Sequence, residues 1–289
     1  MKIFCVDHNS IFKDIKKEFD ITNNFDEADV IFLWNDVLPI ERGIIHLAKA
    51  TGKKVFVFQH GRKGSSKYYP PFNEKIKADK MFVWGEFDKQ ELIKAGQDGN
   101  KIKVIGTTIF KHLIPKKIHH KINIVFCPEH WDKPVKENNK VKDELKKLIK
   151  FNIITKTIDS PSHDGIEWQN EIKTNRDSDN HIDKCIELLA TADIVVGISE
   201  STFELLAQAM NIPVIIVDKW EPKAFGGDIR YTTYRRLISP AVKKTTVENL
   251  KETILQQLIN PDELKEERKQ VVIDEGGLGL DTINLIKIL

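Results

Sequence analysis

Hydrophobic positions in this chain fall into short, unbroken blocks separated by longer segments of helical spacing. The blocks run over Lys2 to Val6, Ala28 to Trp34, Val55 to Gln59, Lys80 to Gly85, Lys101 to Gly106, Ile122 to Cys127, Ile153 to Ile158, Asp193 to Gly197 and Pro213 to Asp218. Runs rich in β-branched and aromatic residues, without alternation, are the pattern of strands buried on both faces of a parallel sheet. Between them the spacing predicts amphipathic helices: one carrying Phe12, Ile15 and Phe19, then Ile40 to Ala50 stopped at Thr51-Gly52, Glu86 to Gly96, Val141 to Lys150, and His181 to Ala190. Further helices are predicted after Gly197, over Val247 to Leu258 and over Leu264 to Val271. The polar stretch 160 to 172 reads as a loop. Alternation of strand and helix predicts an α/β protein with parallel sheets.

One aperiodic, basic, proline-bearing stretch, Ile114 to Lys121, reads as a linker. It divides the chain into a first domain over 1–115, a second over 121–272, and a final segment, 273–289, expected as a helix packing back toward the first domain.

The stretch from Ala192 to Asp218 is the most informative. A β-branched strand ends at Gly197, where a sharp turn is expected, and Ser199, Ser201 and Thr202 are candidate N-caps for the next helix, with Glu204 in its first turn. That helix buries Phe203, Leu205, Leu206, Ala209 and Met210 and breaks at Asn211-Ile212-Pro213, where the next strand begins. A helix N-terminus at the carboxyl end of a parallel strand is suited to anions, because unpaired amides and the helix dipole point outward.

Composition narrows the classes. A net charge of +2 with 30% charged residues gives no strong basic field, so nucleic acid is not an expected partner. A hydrophobic content of 40% is ordinary for a soluble globular protein. The three cysteines, Cys5, Cys127 and Cys185, lie far apart in apolar or helical contexts and read as reduced core thiols. The first apolar block reads as a strand and not a leader, and no apolar run approaches the roughly 18 residues of a membrane span. A cytoplasmic protein is expected, with membrane association peripheral at most.

The pattern Ala-Asp, apolar run, Gly, Ser/Thr cluster, Glu, small-residue helix, Asn-Ile-Pro-Val-Ile over 192–218 resembles the donor-binding segment of GT-B glycosyltransferases. Within them it is nearest the branch of CDP-glycerol glycerophosphotransferases, surface-polysaccharide transferases and UDP-GlcNAc 2-epimerases. The resemblance implies an α/β, GT-B-like chain of two Rossmann-like parallel-sheet domains facing a cleft. By match to the motif, Gly197, Ser199, Ser201 and Thr202 would receive the donor diphosphate and Glu204 would hold the ribose hydroxyls. Glu200 departs from the pattern, since a carboxylate beside a diphosphate repels it.

Other candidates cluster at strand ends. His60-Gly61 follows the third strand, and the resemblance implies that His60 is a general base, a role suited to imidazole near neutral pH. Arg62 and Lys63 in the next turn, and Asp7 and His8 after the first strand, are candidates for the acceptor. Glu129 and His130, after the first strand of the second domain, face the donor by the same analogy. The Gly-, aromatic- and Arg-rich stretch 219–236 places Lys223, Arg230, Arg235 and Arg236 beyond a strand end, where they would neutralise a leaving diphosphate.

Asp177-Ser178-Asp179 reads as helix capping and His119-His120 lacks carboxylate or cysteine partners nearby, so no cofactor and no essential metal are expected. The implied reaction moves a sugar or polyol-phosphate from a nucleotide-activated donor to a hydroxyl of a glycan or lipid-linked acceptor. A UDP-sugar 2-epimerase and a non-catalytic nucleotide-sugar binding subunit remain open alternatives. The donor base, the transferred group, the acceptor and the oligomeric state are not set by these residues.

Overall fold

The structure, a computed structural model, describes residues 1–6, 19–34, 39–59, 75–94, 96–107, 109–128, 135–158, 170–174, 180–198, 201–217 and 239–274. It divides into two compact units, one centred on Met1–Lys111 and the other on the described parts of His112–Glu221 and Arg236–Val272.

The first unit contains β1 (Lys2–Cys5), β2 (Asp20–Thr22), β3 (Val30–Leu33), α1 (Pro39–Ala50), β4 (Lys54–Phe58), β5 (Lys80–Val83), α2 (Glu86–Lys94) and β6 (Ile102–Val104). The strands form a parallel sheet in the order β2-β1-β3-β4-β5-β6. One face joins Ile31, Leu33, Val55, Val57, Met81 and Val83 to Ile45 and Ala48 of α1 and Leu92 of α2. The other carries an aromatic row in which the rings of Phe32 and Phe58, and of Phe58 and Phe82, lie 4.9 Å apart. Such tilted contacts each add about 0.5–1.5 kcal/mol beyond burial. Both helices stop through a left-handed residue: Gly52 (φ 72) with Lys53 N–H donating to Ala48 O, and Gly96 (φ 84) with Gln97 N–H donating to Leu92 O.

The second unit contains β7 (Asn123–Cys127), α3 (Val135–Lys146), β8 (Asn152–Ile158), β9 (Glu171–Thr174), α4 (His181–Leu189), β10 (Ile194–Gly197), α5 (Thr202–Ala209), β11 (Val214–Val217), β12 (Lys243–Thr245), α6 (Leu250–Ile259) and α7 (Lys265–Asp274). Its strands pair in parallel in the order β12-β11-β10-β7-β8-β9. In chain order within the unit this is 6-5-4-1-2-3, the doubly wound arrangement that reverses direction between its first and fourth strands, here β7 and β10. Ile124, Phe126, Ile194, Val196 and Ile215 pack on one face against Val141 and Leu145 of α3 and Leu250 and Ile254 of α6. Cys185 and Leu189 of α4 and Leu205 and Leu206 of α5 are likewise buried.

Several expectations are corrected. β2, β9 and β12 carry no apolar block and were not expected; β9 lies at the end of the stretch read as a loop. α3 begins at Val135 and not at Val141, α6 starts three residues after Val247, and α7 extends through Asp274. The strand expected from Lys101 is confined to Ile102–Val104 and follows a 3-10 turn over Gly99–Lys101 capped by Asp98. Gly197 is the last residue of β10, paired with Cys127 and Ile216, and its φ is not in the left-handed region. The expected helix around Phe12 and Ile15, the acidic run 177–179 and residues 275–289 lie outside the described residues.

The stretch read as a linker is tied into the second sheet's amino edge. Asp193 accepts from Lys116 Nζ at 2.6 Å through Oδ1, and through Oδ2 from Asn123 N–H at 2.8 Å, with His119 Nε2 at 2.7 Å. Lys117 N–H donates to Ala190 O at 2.7 Å. Asn123 Nδ2 donates to Thr191 O and Asn152 Nδ2 to Asn123 Oδ1, both at 2.8 Å.

Burial pushes the Asp193 carboxyl pKa up, but Lys116, the Asn123 amide and His119 outweigh it and hold the value below the ordinary one. Asp193→Asn should therefore cost about 2 kcal/mol in urea unfolding at pH 7. A depressed carboxylate pKa contributes stability above the unfolded value of about 3.9 and loses it as pH falls through the folded value. The difference between wild type and variant should accordingly shrink below about pH 4.

In the first unit the buried Gln59 accepts from Trp84 N–H at 2.8 Å, donates to Asp88 Oδ2 at 2.9 Å, and accepts from Trp84 Nε1 at 3.0 Å through its own carbonyl. Gln59→Leu leaves the buried Trp84 amide without its acceptor. It should lower the stability of this unit by about 1–3 kcal/mol, with a change in tryptophan fluorescence.

Candidate functional site

In a doubly wound sheet, two crossovers leave the switch-point strands for opposite faces, and their carboxyl ends are left with a crevice between them. In the second unit those ends are Cys127-Pro128 of β7 and Gly197-Ile198 of β10, held level by the Gly197–Cys127 pairing. The chain leaving β10 enters α5 within a few residues, which brings that helix's N-terminus to the same edge.

Four of the expected donor-site residues are described there: Gly197, Ser201, Thr202 and Glu204. Ser201 is the N-cap, extended at φ −123 and ψ −174, and its Oγ accepts from Phe203 N–H at 3.2 Å. Glu204 returns to the cap: Oε2 accepts from Ser201 N–H at 2.7 Å and from the Ser201 hydroxyl. This reciprocal capping box follows from the Ser-x-x-Glu spacing of Ser201 to Glu204 and satisfies two of the helix's otherwise free amides. The helix ends through Asn211 at φ 57, with Ile212 N–H donating to Ala207 O, ahead of Pro213.

Glu204 is 1% exposed, and burial pushes its carboxyl pKa up despite hydrogen bonds from Ser201 and from its own and the Ser201 amides. The cap holds Oε2 alone, so the ribose role that the resemblance implies would fall to the other carboxyl oxygen. Its second oxygen, Oε1, is buried without a hydrogen-bond partner among the described residues.

Beside this turn lies a residue that sequence reasoning passed over. Lys156, in β8, is 4% exposed, and its Nζ stands 5.3 Å from the centroid of the Phe203 ring in the first turn of α5. A lysine inside the run Ile153 to Ile158 reads as an outward-facing position of a half-buried strand. Only the tertiary cover of the sheet reveals it as buried. Its charge acts on Glu204 and on the buried thiol of Cys185, whose pKa burial pushes up.

The remaining expected residues lie outside the described residues: Ser199, Glu129, His130, Lys223, Arg230, Arg235 and Arg236 for the donor, with Glu200 beside Ser199, and His60, Asp7, His8, Arg62 and Lys63 in the first unit. The strand ends they follow are described. Gln59, next to His60, is held to Trp84 and Asp88, and Val6, next to Asp7, donates its N–H to Phe32 O at 3.1 Å. Among the described residues no cluster of three or more His, Cys, Asp or Glu could hold a metal ion, and no helix is long and apolar enough to cross a membrane.

No protein-family model matches the sequence, and no curated protein matches it. Solved structures do. A glycosyltransferase from Rickettsia africae superposes with a TM-score of 0.54 at 17% identity, covering 99% of this chain and 88% of its own. HepE of Anabaena, in complex with UDP and glucose, gives 0.59 at 12% identity, covering 99% and 98%. The UDP-GlcNAc 2-epimerase of Neisseria meningitidis, bound to UDP-GlcNAc, gives 0.53 at 12% identity, covering 96% and 78%. The two parallel six-stranded sheets and these likenesses together show that the chain has the GT-B fold, the one shared by such glycosyltransferases and 2-epimerases.

Proposed function

We propose that this protein is a GT-B enzyme that binds a nucleotide-activated sugar or polyol and transfers the activated group to a hydroxyl acceptor. The observation that carries the reading is the arrival of the α5 N-terminus at the β7/β10 switch point, where an open α/β sheet receives its ligand. The likeness to structures holding UDP, UDP-glucose or UDP-GlcNAc supports a nucleotide-sugar at that place.

In this reading Gly197, Ser199, Ser201 and Thr202 approach the donor diphosphate, with His130 beside them. Lys223, Arg230, Arg235 and Arg236 neutralise the charge that grows on the departing phosphate. The acceptor oxygen attacks the activated carbon or phosphorus, its proton passes to His60, and the bond to the nucleotide's phosphate breaks. Asp7, His8, Arg62 and Lys63 orient the acceptor.

A helix dipole contributes about 0.3–1 kcal/mol to anion binding, and about 2 at best. Micromolar affinity requires about 8 kcal/mol, so cations and base contacts must supply most of it. The 2-epimerase reading shares fold and donor site and is favoured by the likeness to the Neisseria enzyme. It differs in needing no acceptor.

The test is calorimetric titration of the protein with UDP, CDP, GDP and dTDP without metal. Micromolar binding of one of them is expected, and binding of none contradicts the reading. With the matching donor, product that forms only when a hydroxyl acceptor is added indicates transfer, whereas a 2-epimer formed without acceptor indicates epimerisation. His60→Ala should retain nucleotide affinity and lose roughly 100-fold or more of turnover.

A further inference from the structure

Three successive polar residues near the end of β8, Thr155, Lys156 and Thr157, are all buried, at 3%, 4% and 0% exposure. Thr157 is anchored: its hydroxyl donates to Glu171 Oε1 at 2.6 Å and its carbonyl accepts from Thr174 Oγ1 at 3.1 Å. Lys156 has no hydrogen bond and no ion pair among the described residues. Its close contact is the Phe203 ring, and Glu204 acts on it only at longer range.

An unpaired buried ammonium costs several kcal/mol of lost hydration. A cation–π contact returns about 1–2 kcal/mol of that, so among the described residues the charge is left largely uncompensated. The place where it is left matters. β8 pairs with β7 so that Thr155 stands opposite Phe126, and Gly197 stands opposite Cys127, one residue further on. Lys156 and Gly197 therefore sit at the same level near the sheet's carboxyl edge, two strands and about 10 Å apart. From there Lys156 reaches under the first turn of α5, whose dipole also favours negative charge.

We propose that Lys156 is the built-in cation of an anion site at the start of α5, taking a phosphate of the nucleoside diphosphate donor; this rests on the donor-site reading above. The ammonium supplies the charge-assisted hydrogen bonds that the α5 amides cannot, because Ser201 and Glu204 already satisfy two of them. Glu204 is compatible with this role. Its Oε2 is held in the cap, and burial pushes its carboxyl pKa up, which lessens like-charge repulsion toward an incoming phosphate.

The test is titration of wild type, Lys156→Met and Lys156→Gln with UDP, with inorganic pyrophosphate and with uridine, alongside thermal melting. The proposal expects UDP and pyrophosphate affinity to fall roughly 10- to 100-fold in both variants, with uridine affinity unchanged. Lys156→Met should melt no lower than wild type, because it removes an uncompensated charge while keeping the packed stem; Lys156→Gln carries the comparison should the methionine variant not fold. If wild type binds UDP and a folded variant binds it equally well, the role of Lys156 is overturned and the donor site stands. If pyrophosphate binds and is lost in the variants while no nucleoside diphosphate binds, the anion site is supported and the nucleotide donor is excluded. Binding of neither to wild type overturns both.

Discussion

Parallel pairing is the constraint on which the rest of this molecule depends. Every strand pairing among the described residues of both sheets is parallel, so no two neighbouring strands there can be joined by a tight hairpin. In the second unit the central strands are buried along their whole length, which is why they are apolar throughout. Parallel pairing also places all carboxyl strand ends of a sheet along one edge, where chemistry-bearing loops accumulate. In the second unit the two edges divide the work. At the amino edge Asp193 gathers Lys116, Asn123 and His119 into a clamp that fixes how the unit begins. At the carboxyl edge a capped helix N-terminus and a buried lysine meet.

How much of this could be read in the sequence follows from burial. Strands covered on both faces, such as Val30–Leu33, Asn123–Cys127, Ile194–Gly197 and Val214–Val217, are continuous apolar runs and were legible. Three of the four edge strands were not. Asp20–Thr22, Glu171–Thr174 and Lys243–Thr245 are short, polar and half-exposed, and their strand character comes from the neighbour they pair with and not from their own residues. The basic stretch around Lys116 and His119 looked like a connector because its order derives from Asp193, more than 70 residues away in the chain.

The site was legible in outline and not in its wiring. The strand-turn-helix over 192–218 and the capping role of Ser201 follow from local patterns. The commitment of Glu204 to that cap follows from the same short spacing, yet a family analogy points its carboxyl group outward to a ribose. Lys156 had no local signal at all. Its burial arises from α5 arriving above β8, a contact between elements separated by β9, α4 and β10. The same distinction applies to Gln59, whose side chain locks the strand end next to His60 through Trp84 and Asp88.

The central claim is that a nucleotide-activated donor binds at the carboxyl edge of the second sheet, around the β7/β10 switch point. Hydrogen exchange followed by mass spectrometry, with and without saturating UDP, tests it most directly. The account predicts added protection concentrated in peptides spanning the end of β10 and the first turn of α5, with accompanying protection at the ends of β7 and β8. Protection confined to the first unit, with residues 194–206 unchanged by bound nucleotide, would contradict it.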